Sequence, residues 1–279
     1  MNRTEIQTRN RVQIEIRVNV SVNMTQVVQP KKTPVYTAAI QFRLNPVANQ
    51  TTTTATSEIY YNQKLVEKLR QFQPKYHVDL SRLNLVDRDM VFITNEVLSQ
   101  RKCTELWLCT NQLTSQGMKI LASNLQQNSV LKSLDLSSNP IGNSGVKELC
   151  RALSNNDKTR LKILYLTRNQ ITNEGIMYLC EMLEQNRILK ELWLSENEIT
   201  EQGLEQLARI LNDKNQTLKV LSLSMNKFPT DKSIDYLSEI INKNQVLRKL
   251  YLKDCDLPEQ GKLKLRDLAK QKKKILIEL

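Results

Sequence analysis

The chain has 279 residues, with 40% hydrophobic and 25% charged side chains, which are ordinary values for a globular protein with a sizeable core. No stretch reaches the roughly 18 apolar residues of a membrane-spanning helix, and the N-terminus has no apolar run of signal-peptide type. Five cysteines, an odd number without a Cys-x-x-Cys pair, agree with a reducing compartment. We therefore expect a cytoplasmic protein without a transmembrane segment.

The formal net charge of +12 is concentrated at the two ends of the chain. Residues 1–75 contain 11 Lys/Arg and 4 Asp/Glu, residues 262–279 contain 7 and 2, and the body between them contains 23 of each. Basic ends attract polyanions without specificity, so a weak polyanion contact through the termini is one hypothesis. The alternative is that the charges are solvated and give the last repeat a polar outer surface.

The N-terminal part predicts a β-hairpin. Residues 11–24 alternate almost perfectly between apolar and polar side chains, a turn signal follows at residues 30–34, and residues 40–44 alternate again. We assign residues 1–44 to a β-hairpin extension. A lone hairpin is marginal in water, so it must dock on the rest of the chain, on a second copy or on a partner.

A linker and a helix follow the hairpin. Residues 45–57 are polar and contain no core-forming residues, which is typical of a linker. Residues 58–75 have helical spacing, with Ile59, Val66 and Leu69 on one side together with Phe72. We expect this helix to cap the N-terminal end of the repeats that come next.

A repeat of 28 to 30 residues fills the remainder of the chain. Its clear copies begin at Leu106, Leu134, Leu164, Leu192, Leu221 and Leu250, and a weaker copy begins at Val78. The first part of each copy alternates as a strand does, and the second part has apolar residues at i, i+3, i+4 and i+7, as in a helix. One strand and one helix cannot bury their apolar faces alone, so the copies must stack.

Two residue types mark the segment between strand and helix. Asparagine recurs at Asn111, Asn139, Asn169, Asn197 and Asn226, with Cys255 and Leu83 in the other two copies. Its amide can donate to and accept from the backbone of adjacent coils. Glycine recurs six positions later at Gly117, Gly145, Gly175, Gly203 and Gly261, where we predict a turn with close backbone approach or positive φ. Thr114, Thr172 and Thr200 are predicted helix N-caps.

The pattern LxxLxLxxNxL followed by GxxxLAxxL resembles the leucine-rich repeats of the ribonuclease-inhibitor class. That class includes the sensor ends of NOD-like receptors, the Ran GTPase-activating protein and tropomodulin-type proteins. The resemblance implies an α/β horseshoe solenoid with parallel strands on the concave face, helices on the convex face, and partners bound on the concave face and rim. We assign residues 76–269 to about seven such repeats and residues 270–279 to a basic C-terminal tail.

The residue between the two leucines of each strand should lie on the sheet face that this architecture leaves for a partner. Exposed aromatic rings beside charged side chains are typical of protein-binding hot spots. The predicted partner-binding residues are Asp79, Trp107, Asp135, Tyr165, Arg168, Trp193, Glu196, Tyr251 and Lys253, and Ser222 completes the row between the leucines. The alternative is that the rings only stack on one another and stabilise the sheet.

The sequence offers little material for catalysis. His77 is the single histidine, and we place it just before the first strand as a surface residue rather than as the base of a triad. Cys150 and Cys180 fill a helix slot that alanine fills in other copies, so a small buried side chain explains them without a metal. We predict a protein that is not an enzyme and uses no cofactor, no metal and no small-molecule substrate.

The predicted function is therefore that of an interaction module or scaffold, which binds a protein partner of unknown identity on the concave face. One alternative, which the resemblance to the Ran GTPase-activating protein implies, is a regulator of a small GTPase. The other is polyanion binding through the basic termini, with the repeats acting as a spacer.

Overall fold

The computed structural model describes residues 62–71, 76–154, 156–272 and 274–279. The predicted hairpin (1–44), the predicted linker (45–57) and both ends of the predicted capping helix (58–75) lie outside the described residues.

Short parallel strands alternate with helices throughout the described chain. The strands are β1 (His77–Asp79), β2 (Glu105–Trp107), β3 (Ser133–Asp135), β4 (Ile163–Tyr165), β5 (Glu191–Trp193), β6 (Val220–Ser222), β7 (Lys249–Tyr251) and β8 (Leu276–Glu278). The helices are α1 (Gln63–Gln71), α2 (Asp89–Ile93), α3 (Ser115–Leu125), α4 (Gly142–Leu153), α5 (Asn173–Gln185), α6 (Glu201–Asp213), α7 (Asp231–Lys243) and α8 (Glu259–Lys272). A π-helical segment, Thr94–Gln100, continues α2.

The strands form one open sheet in which each pairs with the next in sequence order, all parallel. The leucines that define the repeat are register partners: Leu106 pairs with Leu134, which pairs with Leu164 in turn. We call a strand with its following turn and helix a coil. The predicted α/β class and the solenoid of stacked strand–helix repeats are confirmed.

The core lies between the sheet and the helices and runs without interruption through all coils. Leu106 and Leu108 of the second coil are fully buried, and Leu121 and Leu125 of α3 are at most 1% exposed. The strand period and the helix period therefore direct their apolar positions to the same space. Because each coil also covers its neighbours, the stack buries what a single coil would leave exposed.

Five turn asparagines join each coil to the one before it. They are Asn111, Asn139, Asn169, Asn197 and Asn226. The Oδ1 atom of Asn111 accepts hydrogen bonds from Leu83 N and Leu85 N of the preceding coil, at 3.1 and 3.0 Å. Its Nδ2 atom donates to the carbonyls of Leu80 and Leu108, at 3.1 and 2.8 Å. The predicted role of the amide in pairing buried backbone groups is confirmed.

Cys255 takes the place of the turn asparagine in the coil of β7. Its Sγ atom donates to the carbonyl of Leu223 in the preceding coil at 3.2 Å. Burial raises the pKa of this thiol to about 11, so it keeps the hydrogen that the bond requires.

The turn after β3 is irregular because Pro140 has no N–H to donate. Ile141 N bonds to the carbonyl of Asn139 at 2.9 Å, and Gly142, at φ 62°, donates to the carbonyl of Asn169 at 3.0 Å. The buried Oδ1 atom of Asn169 is consequently left without a hydrogen-bond partner among the described residues.

A second row, which we call the return asparagines, closes the turn from each helix back to the next strand. Its members are Asn128, Asn156, Asn186, Asn215 and Asn244. Asn215 Nδ2 donates to the carbonyl of Leu183 in the preceding coil at 2.7 Å. Its Oδ1 accepts from Thr217 N at 3.1 Å and from Leu218 N at 2.9 Å. This row is absent from the sequence-based prediction, although Asn-x-x-Leu recurs in four of its five members.

The recurring glycines lie in the first turns of the helices, so the prediction that they occupy turns with positive φ is wrong. A close approach is present, but at these glycines the nearest atoms are side chains and not the backbone that was predicted. A Cβ atom on Gly175 would lie 2.6 Å from Asn143 Oδ1, and one on Gly203 would lie 2.7 Å from Asn173 Oδ1. Glycine therefore sets how closely neighbouring helices can pack.

The predicted N-caps are confirmed for two of the three threonines. The Oγ1 atoms of Thr114 and Thr172 accept a hydrogen bond from the first turn of the following helix at 3.3 Å. Thr200 precedes α6 without a side-chain bond to it. Its Oγ1 accepts from Asn173 Nδ2 of the preceding coil at 2.7 Å instead, so this threonine links coils.

Helix α1 lies within the range predicted for the capping helix. Leu65 and Leu69 are buried in the core that α1 shares with the first coils. Two hydrogen bonds attach its ends: Arg101 Nη1 donates to the carbonyl of Leu69 at 3.1 Å, and Asn62 Nδ2 donates to Asp89 Oδ2 at 3.2 Å.

The segment predicted as a basic C-terminal tail, residues 270–279, contains regular structure. Helix α8 extends into it, and Leu276–Glu278 forms β8 beside β7. Ile275, Ile277 and Leu279 are half-buried against the core. The prediction of a tail is wrong at these residues, because their apolar alternation adds an eighth strand to the sheet.

Replacing Asn215 by alanine is expected to lower the free energy of unfolding by about 3 kcal/mol, because buried N–H groups and a carbonyl lose their partners. Urea denaturation followed by circular dichroism measures the change. The matched control is Asn242→Ala on the exposed side of α7, which should leave the midpoint nearly unchanged. Equal midpoints for both variants would contradict the role of the return asparagines.

Candidate binding surface

Six of the nine residues predicted to bind a partner lie in one row on the open face of the sheet, which is the face turned away from the helices. The third residue of each strand pairs with the third residue of the next. The row reads Asp79, Trp107, Asp135, Tyr165, Trp193, Ser222 and Tyr251. The structure therefore brings together side chains that lie 28 to 30 residues apart in the sequence.

Three rings of this row stack into what we call the aromatic strip: Tyr165, Trp193 and Tyr251. The ring centroids of Tyr165 and Trp193 are 5.5 Å apart at an interplanar angle of 24°, and those of Trp193 and Tyr251 are 5.2 Å apart at 28°. All three side chains are half-buried, so they stack on one another and also face solvent. Stacking of this kind stabilises by about 1 kcal/mol per pair beyond the buried area.

Ser222 makes the contact between Trp193 and Tyr251, which lie two strands apart, possible. It lies on β6, between the strands of Trp193 and Tyr251, and is only 2% exposed because the two rings close over it. Its Oγ atom shares a hydrogen bond with Ser195 Oγ at 2.6 Å. A small side chain at this position lets rings from two non-adjacent strands meet.

A second aromatic contact lies toward the N-terminal end of the row. Trp107, which is 40% exposed, meets the ring of His77 edge-on, with centroids 4.3 Å apart. His77 Nδ1 lies 3.3 Å from Glu105 Oε2. The histidine is the first residue of β1 and not, as predicted, the residue before it.

Carboxylates lie close to two rings of the aromatic strip, Tyr165 and Trp193. Trp193 Nε1 donates to Glu191 Oε2 at 3.4 Å. Burial raises the pKa of the Tyr165 hydroxyl, and the negative charges of Glu191, Asp135 and Glu105 raise it further. The surface at the centre of the sheet is therefore aromatic and acidic.

Two of the predicted binding carboxylates also have a local structural contact. Asp79 Oδ1 accepts a hydrogen bond from Ser81 N at 2.9 Å, and Asp135 Oδ1 accepts one from Ser137 N at 2.8 Å. These bonds close the turn that follows the strand. Each carboxylate therefore stabilises its own turn, whether or not it also binds a partner.

The other predicted residues lie in the turns that follow the strands. Arg168 Nε and Glu196 Oε2 form an ion pair at 3.1 Å, and both residues have positive φ, at 55° and 51°. Lys253 is exposed in the turn after β7, where its backbone N–H donates to Ser224 Oγ at 3.1 Å. These charges border the aromatic strip at the carboxyl end of the strands.

The prediction missed a row of cations at the opposite edge of the sheet. The residue immediately before each of five consecutive strands is basic, and we call this row the basic ladder. It consists of Lys132, Lys162, Lys190, Lys219 and Arg248. The signal is visible in the sequence as a basic residue two positions before the first leucine of the last five copies.

The buried thiols are unsuited to nucleophilic chemistry. Burial raises the pKa of Cys103 and of Cys180 to about 12, and it raises the pKa of Cys150 as well. In the described ranges, no group of three or more His, Cys, Asp or Glu side chains could hold a metal ion. Within the same ranges, no helix is long and apolar enough to cross a membrane.

Comparison with known proteins agrees with the repeat geometry. A family model described as Leucine Rich repeat matches residues 127–150, 158–180, 185–208 and 214–230. Ribonuclease inhibitor of Sus scrofa is 29% identical over 189 residues, which are 67% of this chain and 41% of that protein. The chain is a leucine-rich-repeat protein that resembles the ribonuclease inhibitors.

Its repeats are also similar to part of a much longer protein and to a solved domain. NACHT, LRR and PYD domains-containing protein 4C of Mus musculus is 30% identical over 209 residues, 74% of this chain and 21% of that protein. The tropomodulin C-terminal domain of Caenorhabditis elegans gives a TM-score of 0.46 at 13% identity, covering 56% of this chain and 93% of that domain. The chain spans less than half the length of the curated relatives described here. The leucine-rich repeats, together with the two relatives of similar sequence, indicate a protein-interaction module.

Substituting Ser222→Tyr is expected to separate Trp193 from Tyr251, because a third ring has no space beneath them. The free energy of unfolding should fall by roughly 1–3 kcal/mol, as in other overpacked sites. Near-ultraviolet circular dichroism should also lose the signal of the stacked rings. The control Ser222→Ala removes only the bond to Ser195 and should keep that signal; an unchanged spectrum for Ser222→Tyr would argue against the stacking.

Proposed function

We propose that this chain is a non-enzymatic interaction module that binds a protein partner on the concave, open face of its sheet. The observation that carries the proposal is the aromatic strip, three stacked rings left half-exposed where the helices do not cover the sheet. Tyrosine and tryptophan provide most of the energy at many protein interfaces.

Charge around the strip supports the same function. Glu191 hydrogen-bonds to the central ring, and the ion pair between Arg168 and Glu196 lies at the carboxyl end of the strands. A hydrophobic centre bordered by polar and charged groups is the usual composition of an interface. The border would exclude water from the rings and orient the partner.

The rings are also held in place before binding. Each contacts its neighbour at 5.2 to 5.5 Å between centroids, and Trp193 is further fixed by its bond to Glu191. Side chains that are already ordered lose less conformational entropy when a partner arrives. The stacking that stabilises the sheet therefore also favours binding, and the two alternatives considered from the sequence are compatible.

A catalytic role has little support. His77, the single histidine, contacts Glu105 and the ring of Trp107, and neither contact pairs it with a serine or cysteine nucleophile. GTPase regulation and polyanion binding by the termini stay hypotheses. At the C-terminus, Lys262, Lys264 and Lys270 each form an ion pair with a carboxylate of the protein itself, which favours a structural role for these charges. A cytoplasmic location also stays a prediction.

Removing two rings, with Tyr165→Ala and Trp193→Ala combined, is expected to weaken partner binding by about 30-fold or more, which corresponds to about 2 kcal/mol lost at a hot spot. Affinity capture on the purified chain, with quantitative mass spectrometry, compares the proteins retained by wild type and variant. The affinity of each differential protein is then measured with purified components.

The matched control removes two aromatic side chains from the helix side, Tyr178→Ala in α5 and Tyr236→Ala in α7, which are half-buried. It should retain the partners that the strip variant loses. Urea midpoints must show that both variants remain folded. If the strip variant keeps every partner, or the helix-side variant loses them, the open face is not the binding surface.

A further inference from the structure

The five members of the basic ladder are held next to one another by the backbone. Each member beyond Lys132 donates its N–H to the carbonyl of the member before it: Lys162 to Lys132 at 2.7 Å, Lys190 to Lys162 at 2.8 Å, Lys219 to Lys190 at 2.7 Å and Arg248 to Lys219 at 2.8 Å. The backbones of consecutive members are therefore about 4.8 Å apart, which is the spacing of neighbouring strands.

In the described part of the chain, these positive charges are not neutralised by ion pairs. None of the five side chains forms an ion pair with a carboxylate among the residues that the structure describes. Arg248 donates instead to the carbonyls of Gln245 and Leu247. All are exposed except Lys190, which is half-buried. Burial lowers the pKa of Lys190, and the charges of Lys219 and Lys162 lower it further.

Like charges on directly opposed positions of neighbouring strands destabilise a sheet, so a stack of five carries an energetic cost. Bound anions would remove this cost, because each would lie near two or more cations. A binding role explains why the cations follow one another at the same position, although the body as a whole contains equal numbers of Lys/Arg and Asp/Glu.

We propose that the basic ladder binds an acidic segment of a protein partner, laid across the strands in an extended conformation. The inference rests on the proposed function for the class of partner, but the binding site itself contains none of the aromatic residues. The ladder spans about 19 Å, which corresponds to about six residues of extended chain.

The neighbouring surface favours a polypeptide over a nucleic acid. Protein sites for single strands offer aromatic faces on which bases stack, whereas here the rings of the aromatic strip cover one another at 5.2 to 5.5 Å. The carboxylates of Glu105, Asp135 and Glu191 lie close enough to Tyr165 to raise its pKa, and they would repel a continuous phosphate backbone. A polypeptide can place acidic residues on the ladder and other residues on the strip.

The N-terminal part of this chain has the wrong charge to occupy the ladder. Residues 1–75 contain 11 Lys/Arg against 4 Asp/Glu, so the ladder would repel them. The occupant that fits by charge is therefore a segment of another protein.

Fluorescence anisotropy with a labelled peptide of about ten glutamates, added to the full chain at low salt, tests the proposal. Combining Lys162→Gln, Lys190→Gln and Lys219→Gln should weaken peptide binding about ten-fold, as expected for three lost surface ion pairs. The matched control, Lys119→Gln with Lys227→Gln and Lys232→Gln, removes the same charge from exposed lysines outside the ladder. It should bind like wild type.

Each of the following results would overturn the proposal. The first is that the wild-type protein fails to bind the peptide. The second is that the ladder and control variants lose affinity equally, which would mean that only net charge matters. The third is that a single-stranded oligonucleotide of equal charge binds more tightly than the peptide and depends on the ladder. The strip variant, Tyr165→Ala with Trp193→Ala, should keep its affinity for the peptide, and its loss would place the peptide on the strip. Peptide binding that persists while the strip variant keeps all partners would refute the proposed function alone.

Discussion

The structure depends on hydrogen bonds that asparagine side chains make to the backbone of the neighbouring coil. Each strand has only three residues, so the strand ladder leaves the backbone groups of the buried turns to be paired in another way. An unpaired buried N–H or carbonyl costs as much as a lost hydrogen bond. Asn111 and its equivalents satisfy these groups after the strands, and Asn215 and its equivalents satisfy them before the strands.

Because these bonds reach from one coil to the next, they fix the register between coils as well as the turn within each coil. Residues one repeat apart in sequence then become neighbours in space, because the backbones of adjacent strands are about 4.8 Å apart. The aromatic strip and the basic ladder are both products of this register: the strip lies at the last residue of the strands, and the ladder lies immediately before their first residue. A surface of this kind can change residue by residue while the core leucines stay the same.

The spacing of the leucines predicts the strands, the parallel register and the row that contains Trp193, because period and burial are properties of local sequence. The stacking over Ser222 could not be predicted, since it depends on ring positions two strands apart. The basic ladder is hidden by a count of charge over the whole body, which sums to zero. Strand β8 follows a run of lysines, so its short apolar alternation resembles a solvated tail. The prediction of turns with positive φ at the recurring glycines was wrong because close helix packing and turns both favour glycine.

The contact between Trp193 and Tyr251 has a consequence for cooperativity. In most solenoids each repeat interacts only with the repeats on either side, so stability is a sum of nearest-neighbour terms and ends can fray one repeat at a time. Here a ring from β5 reaches over β6 to a ring from β7, which adds a coupling between next-nearest neighbours. Loss of the β7 coil therefore removes a contact of β5 directly, and the coils of β5, β6 and β7 are coupled more strongly than contacts between adjacent repeats alone would couple them.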